Sequence, residues 1–216
     1  MRKIIIFLLF VSVFCITFAQ QDPKAKNILN KVSSKIKSYT TIKANFIFTS
    51  DNTTGDIKNS SHGTIFLKNK KYKLILMENE IYFNGKTLWN YLIDVNEVNI
   101  SEPDEEDESF FGGPANIFTF YEKDFKYKFI GEKTEYGKNL VEIDLFPINP
   151  ENNYFKIKLI INKSEMQIYS IKYYGNDEGN YTIKIKKITP NIEMKDSMFI
   201  FNEEEHPGVE VIDLRW

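Results

Sequence analysis

The hydrophobic pattern of this chain changes period twice after an apolar start. Residues 4–18 are almost continuously apolar and follow Arg2 and Lys3. From residue 23 the period becomes helical: Ala25, Ile28, Leu29, Val32 and Ile36 recur with Lys and Asn between them. That spacing predicts an amphipathic helix with one stripe to bury. Asp22 suits its N-cap and Pro23 its first position. After Tyr39 the period drops to two, with Ile42, Ala44, Phe46 and Phe48 set against Lys43, Asn45 and Thr49. This is a strand, and 51–56 reads as the turn that ends it. Further strands are read at 64–68, 72–77, 81–83, 87–95 and 97–101. Asn84-Gly85 is the strongest hairpin signal in the chain.

A break follows. Residues 102–108 are almost entirely acidic, and Phe110, Phe111, Gly112 and Gly113 come next. Pro114 then opens a predicted second helix through Tyr121, with Ile117, Phe118 and Tyr121 on one face. Strands resume at 126–132, 140–146, 154–162, 167–174, 181–188 and 198–201. About eleven strands at regular spacing point to a mainly β (α+β) fold, a large antiparallel sheet, sandwich or barrel with helices against it. The acidic segment is an internal loop, because strands of one type lie on both sides of it.

The apolar start reads as a signal peptide. It is shorter than the roughly 20 apolar residues of a membrane span. Thr17 and Ala19 supply small side chains at the −3 and −1 positions of a cleavage site. The expected division is therefore 1–19 signal peptide and 20–216 mature domain, beginning at Gln20. Cys15, the only cysteine, lies in the removed segment, and Phe14 before it is too large for a lipoprotein signal. The mature chain would then have no thiol.

Chemistry adds mostly exclusions. The formal charge is −2 and becomes more negative when Arg2 and Lys3 leave, which argues against nucleic acid as partner. His62 and His206 are the only histidines and stand far apart, so no metal site is expected. No nucleotide-binding or nucleophile-elbow motif occurs. The acidic run lacks alternating calcium-loop spacing. No cofactor and no catalytic residues are expected, and a secreted hydrolase is the reading that a polar cluster conserved among homologues would revive.

What stands out instead is apolar character on both faces of several strands. Trp89 and Tyr91 share a face opposite Leu88 and Leu92. Helices laid over such a sheet can leave an apolar cavity. A fully packed core needs the same residue types.

Several stretches resemble a known family. They are Tyr39-Thr40-Thr41-Ile42-Lys43-Ala44-Asn45-Phe46, Gly63-Thr64-Ile65-Phe66-Leu67-Lys68 and, most specifically, Asn84-Gly85-Lys86-Thr87-Leu88-Trp89-Asn90-Tyr91, with 199–213 at the end. The order of elements and these residues resemble the bacterial outer-membrane lipoprotein carriers, the periplasmic Lol carrier (LolA-like). Residues 91–106 and 209–215 look like the version in Bacteroidetes-type bacteria. The resemblance implies a half-open antiparallel β-barrel capped by helices and enclosing an apolar cavity. It implies a monomeric periplasmic carrier and chaperone that shelters the acyl chains of lipoproteins. Its implied partners are acylated lipoproteins or lipid, an inner-membrane ABC-type transporter and an outer-membrane acceptor. The alternative is an envelope lipid-binding or acceptor protein on the same fold. The implied cavity and lid residues are Phe46, Phe48, Phe66, Leu74, Leu76, Trp89, Tyr91, Phe111, Ile117, Phe118 and Tyr121, with Gly112-Gly113 as a hinge. Phe118→Arg is expected to weaken ligand capture without unfolding. One departure stands out: the better-known carriers place a lid-latching arginine where this chain has Asn69, followed by Lys70 and Lys71.

Overall fold

A computed structural model describes residues 22–52, 58–102, 117–176 and 179–215. The signal segment, the acidic run, Phe111, Gly112-Gly113 and Pro114 lie outside these residues.

The helix α1 spans Pro23–Lys37. The Asp22 carboxylate accepts from the backbone N–H groups of Lys24 and Ala25, at 2.9 and 3.2 Å, so the expected cap satisfies the helix's orphan donors. Lys35 and Lys37 sit in the last turn, where the helix dipole favours cations. Ala25, Ile28, Leu29, Val32 and Ile36 are all buried.

Among the described residues, twelve strands form one sheet. They are β1 (Thr41–Asn52), β2 (Lys58–Lys68), β3 (Lys71–Leu76), β4 (Asn79–Phe83), β5 (Leu88–Leu92), β6 (Glu97–Ser101), β7 (Phe125–Glu135), β8 (Lys138–Pro147), β9 (Tyr154–Asn162), β10 (Gln167–Gly175), β11 (Gly179–Pro190) and β12 (Glu210–Asp213). Their order is β12-β6-β5-β4-β3-β2-β1-β11-β10-β9-β8-β7. The terminal strands do not pair with each other, so the barrel is half open, as expected. Strand β1 joins the halves through β2 and β11. Bulges between Asn45 and Phe46, Phe129 and Gly131, and Ile168 and Ser170 add bend, which a closing sheet needs.

Four local expectations are corrected. Residues 198–201 are not a strand: Asp196–Phe199 is a 3-10 helix and Phe201 anchors a packed segment. The strand expected at 87–95 stops at Leu92, because Ile93–Val95 forms a 3-10 turn closed by Asn96 in the left-handed region, φ 50°. The described part of the second predicted helix is a turn at 117–119 followed by the 3-10 helix Phe120–Glu122. Strand β12 was not expected, and it pairs with β6 in parallel, so the sheet is not purely antiparallel.

One apolar cluster fills the space between the helix and the curled sheet. It joins α1 to Ala44, Phe46 and Phe48 of β1, Ile65 and Leu67 of β2, and Tyr72, Leu74 and Leu76 of β3. From the other half come Val141, Ile143, Leu145, Ile157, Leu159, Ile161, Ile171, Ile183 and Ile185. Ile117, Phe118, Tyr121 and Phe125 complete it.

Candidate functional site: an apolar interior behind a cleft

Seven of the expected site residues come together. Phe46, Phe48, Leu74, Leu76, Ile117, Phe118 and Tyr121 all belong to the helix-covered cluster. Phe111 lies outside the described residues. Three others are placed elsewhere. Phe66 is flanked by Ile65 and Leu67, which face the helix, so alternation turns its ring to the opposite face. There the Lys43 ammonium stands 5.2 Å from its centroid, and the two residues are register partners. Trp89 and Tyr91 alternate with Leu88, which packs on the helix side, and they join a second cluster with Tyr82, Val98 and Phe201.

That second cluster explains the C-terminal segment. The Phe201 ring lies 5.7 Å from Tyr82, 5.2 Å from Tyr91 and 4.4 Å from His206. His206 is thus part of an aromatic stack holding the tail to the outer face of β4, β5 and β6. Both faces of this half-sheet are apolar because both are covered, one by the barrel interior and one by the tail.

A cleft of about 250 Å³ opens at the C-terminal end of α1. Its walls include Ile36, Tyr39, Thr41, Ile42, Leu67, Asn69, Phe118 and Thr119. Ile36, Ile42, Leu67 and Phe118 are also members of the interior cluster. Drug-sized ligand pockets run to roughly 300–1,000 Å³, so a long chain can enter only if core side chains give way. A larger hollow of about 480 Å³ is lined by Glu132, Lys133, Thr134, Asn139, Lys163 and Ser164. Its walls are charged and polar, which suits no apolar cargo.

The segment beside the cleft is held to the helix by polar contacts. Glu122 accepts hydrogen bonds from Ser33 and from Lys37, the latter at 2.6 Å. The lysines near Asn69 do not reach this segment. Lys68 donates to the Met194 carbonyl and to Asp196, and Lys71 donates to Asp196, at 2.7–2.8 Å. These two cations hold the exposed Asp196 carboxyl down to about 2. They tie down the C-terminal segment. Asn69 itself adopts φ 55°, a left-handed conformation that asparagine tolerates well.

An aromatic wall, which the sequence did not reveal as a unit, lies against this interior. Phe120 stands 5.7 Å from Phe125 and 6.1 Å from Tyr173, and Tyr154 is 5.6 Å from Tyr173. Alternation could have paired Phe125 with Tyr127, but bringing Tyr154 and Tyr173 beside them required strand register. Among the described residues, no group of three or more His, Cys, Asp or Glu could hold a metal ion. No described helix is long and apolar enough to cross a membrane.

No curated protein matches the chain. A solved structure of an uncharacterized conserved protein from Thermus thermophilus shares the fold at TM-score 0.58 and 11% identity, covering 88% of this chain and 99% of that one. MucB aligns at TM-score 0.50 and 9% identity, over 85% of this chain and 64% of that one. A putative outer membrane lipoprotein-sorting protein domain from Vibrio parahaemolyticus aligns at TM-score 0.48 and 9% identity, over 83% and 96%. The family described as outer membrane lipoprotein carrier protein LolA matches residues 15–173, most of the chain. The chain therefore belongs to the LolA outer membrane lipoprotein carrier family.

Proposed function

We propose that this protein is a periplasmic carrier that shelters lipoprotein acyl chains and shuttles them from the inner to the outer membrane. The supporting observation is the continuity of the cleft wall with the barrel interior: Ile36, Leu67 and Phe118 belong to both. Each buried methylene contributes about 0.8 kcal/mol, so an acyl chain displacing these side chains exchanges one set of apolar contacts for another. That near-balance suits a carrier, which must release what it holds. The role is binding, with no chemistry at the cargo. Delivery from an ABC-type transporter and transfer to an outer-membrane acceptor belong to this reading.

Native mass spectrometry of protein purified from a membrane-containing host is expected to show acyl-chain adducts. Only the bare mass, together with no binding of a fluorescent fatty acid, would count decisively against the reading. N-terminal sequencing is expected to start at Gln20; a lipidated Cys15 would indicate a membrane-anchored acceptor instead.

Placement within the fold sharpens a second test. A photo-crosslinking residue at position 118 is expected to capture acylated cargo in cells, and one at 89 is not, because Trp89 faces the tail cluster. Equal capture from both positions would refute the assignment of the helix-covered face. Phe118→Arg is no longer a suitable probe. Phe118 is buried, so an arginine there would carry an unpaired charge into the core and cost stability.

A further inference from the structure

Asp51, Asn90, Tyr121 and Asp144 each carry a buried side-chain oxygen without a hydrogen-bond partner among the described residues, and of these Tyr121 belongs to the apolar cluster. Tyr121 is 1% exposed, and its hydroxyl is buried with no hydrogen-bond partner among the described residues. Buried hydroxyls are normally satisfied, because an unmade bond leaves the full desolvation penalty in place. Phenylalanine would fill the same space without that penalty. Burial also pushes the phenol well above its ordinary value, so it stays a neutral O–H donor at every physiological pH.

Its position gives the hydroxyl a use. Tyr121 is two residues beyond Thr119 and three beyond Phe118, which both line the cleft. It shares the interior cluster with Ile36 and Phe118, two of the wall residues. The 3-10 helix that carries it is tied to α1 through the Ser33–Glu122 hydrogen bond. A chain that enters by displacing Phe118 would reach the apolar cluster that holds this donor. Apolar sites commonly fix a ligand's orientation through a few such polar groups.

We infer that the Tyr121 hydroxyl donates a hydrogen bond to the carbonyl of an acyl linkage, so that the site prefers acylated ligands over purely alkyl ones. This rests on the carrier reading and adds to it the group that would recognise the ester or amide carbonyl of the bound chain. The unsatisfied donor of the unloaded protein is satisfied on loading.

A matched pair of ligands tests it, 1-palmitoylglycerol and 1-O-hexadecylglycerol, which differ in the carbonyl alone. Competition against a fluorescent fatty acid is expected to show wild type preferring the ester by about three- to tenfold, the worth of one hydrogen bond. Tyr121→Phe is expected to abolish that preference, with the midpoint of thermal unfolding unchanged or raised. An equal preference in wild type and Tyr121→Phe would overturn the inference and leave the carrier reading standing. A lowered midpoint in Tyr121→Phe with the preference retained would also overturn it, since the hydroxyl would then be structural. Failure of wild type to bind either ligand would instead refute the carrier reading.

Discussion

Gly63→Ala is expected to destabilise the protein by about 1–3 kcal/mol, the range for overpacking a filled core. Gly63 of β2 is the register partner of Phe46 of β1. The Phe46 ring lies directly over the glycine: a Cβ there would stand 2.9 Å from Cε1 and closer still to Cζ and Cε2. Phe46 is 1% exposed, so the ring has nowhere to retreat. The glycine is needed for the approach of this ring, since no positive φ is involved. Urea titration should show a lower midpoint with an unchanged slope, the mark of a native-state effect. Phe46→Ala alone should cost more, about 3–5 kcal/mol, through the cavity it leaves. Phe46→Leu should lose part of the ring's packing yet tolerate Gly63→Ala better than wild type does. The two sites touch, so their effects should not add. A Gly63→Ala protein within about 0.5 kcal/mol of wild type, the range of an uneventful surface change, would refute this packing.

The features most legible in the sequence were those set by neighbours in the chain. Asp22-Pro23 and the stripe from Ala25 to Ile36 gave the helix, because caps and helical period are local. Asn84-Gly85 marked its hairpin correctly. The Asn84 side chain accepts from the Lys86 and Thr87 N–H groups at 2.9 Å, and Gly85 takes φ 98°. Strand β9 was legible through alternation, with Ile157, Leu159 and Ile161 set against Lys156 and Lys158. The choice between two apolar faces was not legible. The resemblance implied Trp89, Tyr91 and Phe66 as cavity residues, and the sequence alone could not show what covers their faces. Leu88 packs on the interior cluster, while the tail brings Phe201 to the side of Trp89 and Tyr91; Phe66 likewise lies opposite Ile65 and Leu67. Strand alternation states that two residues share a face; it does not state what covers that face. The short parallel strand β12 was illegible too, since its partner β6 lies more than a hundred residues earlier.

Asp22→Ala is expected to cost about 2–3 kcal/mol, more than an ordinary cap, because this carboxylate joins two elements distant in sequence. One oxygen caps α1 through Lys24 and Ala25, and losing such a cap costs about 0.5–2 kcal/mol. The other accepts from the backbone N–H of Phe129 at 3.0 Å, on the edge strand β7, which otherwise pairs only with β8. A hydrogen bond to a charged group contributes about 1.5–3 kcal/mol, less here because the residue is partly solvated. The Asp22 carboxylate therefore pins the helix to the open edge of the barrel and satisfies a donor there. Asp22→Asn separates the roles. Asparagine caps as well as aspartate, but its amide nitrogen would face the Phe129 N–H, donor against donor. Asn should thus recover the cap and still lose the edge contact. The pH dependence follows from the Phe129 hydrogen bond, the main cause that lowers the Asp22 pKa below its ordinary 3.8. A depressed folded-state value means the carboxylate stabilises fully above about 4 and loses that effect as pH falls through the folded value. The deficit of Asp22→Ala should therefore be full at pH 7 and shrink below pH 4, as measured by urea unfolding at both. A deficit that stays constant down to pH 2 would show that the charge has no part in holding helix to edge.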